Sequence, residues 1–377
     1  QFEKATLQLS VNLDQESKIR LFIFKPFVAE KPNKAVMVAT SNPLQTPIEK
    51  EIDAAIRTYI QKPNTIGLSI GIIKDGKTTI YNYGETAKGN GKLPDANTIF
   101  EIGSVTKTFT STLLAYFVNQ HKIKLSDPIT NYLPDSVAKN SVLKEVSIQM
   151  LSNHTSGLSQ LPDNFDNGNF NLSNPYQHYT REMLFSYLKK CKLNSKPGET
   201  YVYSNMAAGL LGIILEKISG QTYEQLVKTI ICKPLKLEST AEYLSPQEKQ
   251  HFAKVYNKEG SETPAWDFDA LQACGSLRST VTDLLKYAEA NMRVGTDELS
   301  KAIQLTHQIT FNKKNKVGLG WHLAKINNAD YFFHGGGTGG SSSFFMFNAE
   351  KKTTVIILSN SAESTDPIGV SIIKLLQ

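Results

Sequence analysis

The chain has 377 residues, of which 40% are hydrophobic and 20% charged, enough for two or three domains and for a core that needs neither a disulfide staple nor a structural metal. That composition excludes disorder, collagen, coiled coil and membrane channel. The net charge of +6, from 41 Lys and Arg against 35 Asp and Glu, is spread without a basic block, so no nucleic-acid partner is indicated.

Gln1 opens the chain without a methionine, as in a processed or trimmed product. Residues 5–11, 18–28 and 34–39 are rich in β-formers and lack helical periodicity, which predicts a small β-rich extension over 1–44. The stretch 41–47, with Pro43 and Pro47, reads as a linker. Ile48, Ile52, Ile56 and Ile60 then recur every four residues beside Ala55 and Tyr59, the stripe of an amphipathic helix. Residues 66–74 and 78–83 flank Asp75-Gly76, a strong hairpin signal.

Helical patterns and long loops dominate from about 125 to 277, with 207–218 followed by Gly220 as an example. Three further strands are predicted at 331–333, 342–347 and 353–358, and a closing helix at 368–376. Strands at both ends and helices between them predict an α+β architecture. An antiparallel sheet is flanked by helices, with a mainly helical lobe inserted. The catalytic domain would span 45–377, its sheet lobe about 45–125 and 278–377, its helical lobe about 126–277. No apolar run approaches the ~20 residues of a membrane span.

Cys191, Cys232 and Cys274 lie far apart in no C-x-x-C pair and read as buried small hydrophobes. The seven histidines form no H-x-H or H-E-x-x-H pattern, so no metal and no cofactor is predicted.

Gly67-Leu68-Ser69-Ile70-Gly71 matches a nucleophile elbow, and His334-Gly335-Gly336-Gly337 matches a lipase oxyanion loop. The elbow needs strand, sharp turn and helix, whereas Ser69 sits in a β-run that continues into the Asp75-Gly76 hairpin. In those enzymes the Gly-rich loop precedes the nucleophile; here it follows Ser69 by most of the chain. This reading is rejected.

A different constellation carries chemistry. After Gly103, Val105, Phe109, Leu113, Phe117 and Val118 recur at helical spacing, so a helix starts near Ser104 and puts Ser104 and Lys107 on one face of its first turn. A serine hydroxyl needs a neighbouring base, and a lysine kept partly neutral by burial can be that base. Tyr203 and Asn205, just before a helical run, would add a proton relay and an amide that holds a substrate carbonyl. His334, Gly335 and Gly336, followed by Gly337, suggest a strand edge whose main-chain N–H groups meet a ligand. Each motif alone is common. In this order and together they are specific.

The three boxes, S-x-x-K, Y-x-N and His334-Gly335-Gly336, resemble those of the penicillin-recognising serine hydrolases, in the branch of class C β-lactamases, DD-peptidases and esterases of the same fold. The match covers residues from about 48 onward. Stretches at Leu151-Ser152-Asn153-His154-Thr155-Ser156-Gly157-Leu158 and Gly275-Ser276-Leu277-Arg278-Ser279-Thr280 support it. The resemblance implies an acyl-enzyme on Ser104, proton transfers by Lys107 and Tyr203, substrate orientation by Asn205, and an oxyanion hole from the N–H groups of Ser104 and Gly337. It implies an amide substrate, a β-lactam or a peptidoglycan-like D-Ala peptide, and a periplasmic, cell-surface or secreted location. Carboxylesterase and non-catalytic penicillin-binding sensor are the alternative functions. His154 and Arg278 read as structural.

The third box departs from the class C pattern, Lys-Thr-Gly, whose Lys and Thr help hold the substrate's carboxylate. His334 replaces a permanent cation by a group mostly neutral at pH 7, and Gly335 removes a hydroxyl. Slow β-lactam turnover is therefore predicted, with acyl transfer itself intact.

Overall fold

The structure, a computed structural model, describes residues 7–13, 19–26, 38–166, 168 and 170–377. Two compact units divide at Met37 and Val38. In the first, strands Leu7–Leu13 and Ile19–Pro26 pair antiparallel, with an irregular register at Asn12 and Leu13. Residues 34–37 of the third expected strand lie outside the described residues, and 38–39 are not strand.

The second unit begins by binding its own sheet. Gly84 N donates to Ala39 O at 2.9 Å and Ser41 N to Asn82 O at 3.0 Å. Asn42 is buried and donates to Glu49 O and to the Tyr83 hydroxyl. The start of the stretch read as a linker is thus fastened to the strand Lys77–Gly84, because its main-chain groups extend the edge of that strand. The helix Pro47–Ile60 follows, with Thr46 and Glu49 closing a capping box. Ile52, Ile56 and Ile60 of the predicted stripe are buried and Ile48 is exposed.

Eight strands form one antiparallel sheet, in the order Lys77–Gly84, Gly67–Lys74, Thr353–Ser359, Ser342–Asn348, Ala329–Gly337, His322–Ile326, Lys316–Val317 and Phe311–Asn312. Ser69 is buried in the second of these, paired with Asn82 and Leu358, so it is a strand residue and no nucleophile elbow. The helices Pro47–Ile60 and Asp366–Leu375 cover one face, where Ile70, Tyr331, Ile357 and Ile372 are buried with Ile56. The larger core lies on the other face, around the helices Thr106–Asn119, Asn205–Ser219 and Val281–Met292. An α+β fold with an antiparallel sheet and flanking helices is therefore observed.

One strand runs further than its sequence suggests. The apolar signal at 331–333 ends before the glycines, yet pairing continues from Phe332↔Phe347 through His334↔Phe345 to Gly337↔Ser342. Partner strand Ser342–Asn348 is wholly buried and carries the glycines along. The third box is thereby a rigid strand beside the start of the helix Thr106–Asn119.

Candidate active site

Ser104 sits in a single 3₁₀ turn, Gly103–Val105, that leads directly into the helix Thr106–Asn119. Two glycines bring this turn against the third box. Gly103 has φ +48°, and a Cβ there would lie 2.6 Å from Gly337 N. A Cβ on Gly336 would lie 2.2 Å from Ile102 O, which instead accepts a 2.8 Å bond from the Ser343 hydroxyl. Side chains at either position would push Ser104 and Gly337 apart.

Lys107 occupies the first turn of that helix and is only 2% exposed. Its Nζ donates to Ser104 Oγ at 3.0 Å, Asn205 Oδ1 at 2.8 Å and Cys274 O at 2.7 Å. It also lies 4.7 Å from the centre of the Tyr203 ring. Burial pulls its pKa down to about 8, opposed in part by the Cys274 thiol. An ammonium with all three N–H groups engaged is held in place, yet close enough to neutrality to accept a proton near pH 8.

The second box is positioned from its backbone. Ser204 caps the helix Asn205–Ser219 by accepting from Ala207 N at 3.0 Å, and its hydroxyl donates to Ser159 O at 2.7 Å. Asn205 N and Met206 N both donate to Gln160 O. His154 braces the same segment: its carbonyl accepts from Val202 N, its Nδ1 accepts from Ser204 N at 3.2 Å, and its ring lies 4.4 Å from the Tyr203 ring. That accepting Nδ1 requires a neutral ring, and burial, with Lys107 nearby, holds its pKa well below the usual histidine value. Burial drives the Tyr203 hydroxyl far above its ordinary pKa, and its bond with Ser104 offsets only part of this.

His334 is buried, and its Nδ1 donates to Gly335 O at 2.6 Å. Burial, then His322 and Lys107, keep its pKa well below the ordinary value, so the imidazole is neutral. Its Nε2 has no hydrogen-bond partner among the described residues. The imidazole of His322 lies 5.1 Å from that of His334, accepts or donates a 2.6 Å bond at the Tyr201 hydroxyl, and has its pKa lowered to about 4.

Ser104, Lys107, Tyr203 and Asn205 are thus brought together, with His334, Gly335, Gly336 and Gly337 along the adjoining strand. Arg278 is buried and donates to Glu242 O and Trp266 O, a bracing role. Three participants carried no sequence signal of their own. Cys274 contributes a carbonyl rather than a side chain. Tyr176 accepts from Asn205 Nδ2 at 2.7 Å out of a loop without periodicity. Buried Glu101 accepts from Trp266 N and from the Thr338 hydroxyl, which ties the end of the third box to the opposite wall. Glu101 adjoins the S-x-x-K box, so its proximity was the only hint. Among the described residues no group of three or more His, Cys, Asp or Glu could hold a metal ion.

The family model described as Beta-lactamase matches residues 52–371. A beta-lactamase of Pseudomonas fluorescens is 31% identical over 287 residues, 74% of this chain and 75% of that protein. The D-alanyl-D-alanine-carboxypeptidase/endopeptidase AmpH of Escherichia coli (strain K12) is 27% identical over 270 residues, 68% of each. A class C beta-lactamase structure superposes with a TM-score of 0.78 at 26% identity, covering 88% of this chain and 96% of the other. A beta-lactamase/D-alanine carboxypeptidase from Pseudomonas syringae shares the fold, at TM-score 0.77 and 23% identity.

Proposed function

The chain belongs to the beta-lactamase family, and from that premise we propose that it is a serine hydrolase opening amide bonds of the β-lactam or D-Ala-peptide type through an acyl-enzyme on Ser104. The observation that carries the reading is the contact of a buried lysine amine with the serine hydroxyl, Lys107 Nζ to Ser104 Oγ at 3.0 Å.

In this reading the neutral fraction of Lys107 takes the proton as Ser104 Oγ attacks the carbonyl carbon. The oxyanion is received by the backbone N–H groups of Ser104 and Gly337, which the missing side chain of Gly103 allows to converge. Tyr203 passes a proton to the leaving nitrogen and later takes one from the water that releases the acyl group. Its raised pKa keeps it protonated and suits it to the donating step. Asn205 holds Lys107 through Oδ1 and orients the substrate amide.

A carboxylesterase on the same fold is the second reading, favoured by a neutral His334 and a Gly335 without a hydroxyl. Family membership also supports a periplasmic or cell-surface location and a peptidoglycan-like peptide as substrate. No helix among the described residues is long and apolar enough to cross a membrane.

Mass spectrometry after incubation with a penicillin or an activated ester tests the proposal. A covalent adduct on Ser104, absent in Ser104→Ala, is expected. An unmodified wild-type protein with every such acyl donor would refute it.

A further inference from the structure

The segment 201–204 that carries Tyr203 belongs to no helix or strand, so the aim of the tyrosine depends on what holds this segment. His154 takes its backbone, through the bonds from Val202 N and Ser204 N. Tyr201 ties it to the sheet: its hydroxyl lies 2.6 Å from Nε2 of His322, the first residue of the strand His322–Ile326. That strand pairs His322 with Phe333, the residue immediately before the third box. Burial keeps the Tyr201 phenol protonated and, with Lys107 nearby, the His322 imidazole neutral, so donor and acceptor match.

The same imidazole faces the site itself. Its ring lies 5.1 Å from that of His334 and 6.5 Å from that of Tyr203, inclined to the latter by 25°. His154 packs on the Tyr203 ring at 4.4 Å and meets Tyr201 edge-on at 5.7 Å. Tyr203 is thus held among rings whose spacing is fixed by one hydrogen bond between the second box and the strand beside the third. We infer that Tyr201 and His322 are positioning residues, and that their hydrogen bond aims the Tyr203 hydroxyl at the leaving atom of the substrate. As the tetrahedral adduct collapses, the bond from carbon to the leaving atom breaks and that atom takes the Tyr203 proton. The Lys107 ammonium then returns to Tyr203 the proton gained from Ser104. The inference rests on the serine-hydrolase reading above and adds to it the pair that orients the relay; neither residue touches a reacting atom.

The test separates acyl donors by whether the leaving atom needs a proton. Benzylpenicillin and ethyl phenylacetate do; p-nitrophenyl phenylacetate does not, because its phenolate leaves as the anion. The second-order rate of Ser104 acylation is measured for each, with a thermal melt of every variant. Tyr201→Phe and His322→Phe should each slow the first two donors about tenfold, the scale of one hydrogen bond, and the p-nitrophenyl ester by less than about twofold. Their double variant should lose no more than either alone, since both remove one bond. His322→Gln, which keeps an acceptor for the phenol, should stay within about threefold of wild type. Tyr201→Phe, which removes only a hydroxyl, decides the matter if His322→Phe fails to fold. Equal slowing of all three donors, or slowing of none, would overturn the inference and leave the acyl-enzyme reading intact. So would a wild type that opens only the p-nitrophenyl ester, since it would protonate no leaving group. Failure of all three to acylate Ser104 would overturn both.

Discussion

Gly103 and Gly337 touch through their backbones: the Cβ that Gly103 lacks would sit 2.6 Å from Gly337 N. The contact joins the turn bearing Ser104 to the end of the third box, so the two proposed oxyanion donors share one rigid joint. Gly103→Ala would force the joint open and place an alanine at φ +48°. Acylation of Ser104 by an activated ester should fall about 10²-fold or more, as when an oxyanion donor is misplaced. Stopped-flow acylation rates together with a thermal melt separate this from unfolding.

As the proposed base, Lys107 is expected to set the pH dependence of acylation. Its pKa of about 8 means that the neutral, proton-accepting form is the minority below pH 8 and the majority above it. The acylation rate constant should rise with pH through a midpoint near 8. Lys107→Arg keeps the charge but cannot yield a neutral base, so it should cost about 10²- to 10⁴-fold and remove the rise. A flat wild-type profile between pH 6 and 9 would contradict this assignment.

Tyr176 holds Asn205 in one orientation. The amide nitrogen donates to the tyrosine hydroxyl at 2.7 Å while the amide oxygen accepts from Lys107 at 2.8 Å. Tyr176→Phe keeps the ring, stacked on Phe268 at 4.6 Å, and removes only the hydroxyl. Freed to rotate, Asn205 supports the ammonium of Lys107 less well, so the acid-side midpoint should move below 8. Acylation should slow by about tenfold, the scale of one hydrogen bond. A merely structural tyrosine would leave the midpoint where it was.

Glu242 is a stability switch of the opposite sign from most carboxylates. Burial raises its pKa from 4.5 to about 8, with the nearby Glu224 adding to the rise. The folded state therefore retains a proton that the unfolded state releases. Stability that is present below about pH 4.5 is lost as pH rises to about 8. Glu242→Gln removes this dependence. Calorimetry should show a melting temperature several degrees above wild type at pH 8 and little difference at pH 4.

Much of the site was legible because its residues are local. Ser104 and Lys107 share one helical turn, Tyr203 and Asn205 flank a capping serine, and the glycines of the third box stand beside a strand signal. Helical spacing and cap preferences report such neighbourhoods directly. The strand itself was underestimated, because glycine carries no β-propensity and only its pairing with the buried partner strand extends it to Gly337.

By itself the sequence determined the order of the three boxes and singled out Ser104, Lys107 and Tyr203 as the proposed nucleophile, base and relay. Only the tertiary structure decided what completes them. The amine of Lys107 finds Asn205 at a separation of 98 residues and the carbonyl of Cys274 at 167, and the latter has no side-chain signal at all. The same holds for the hydroxyl of Tyr176 on Asn205. Periodicity records which face of an element is buried. Which elements then face one another depends on how a whole sheet and its helices close.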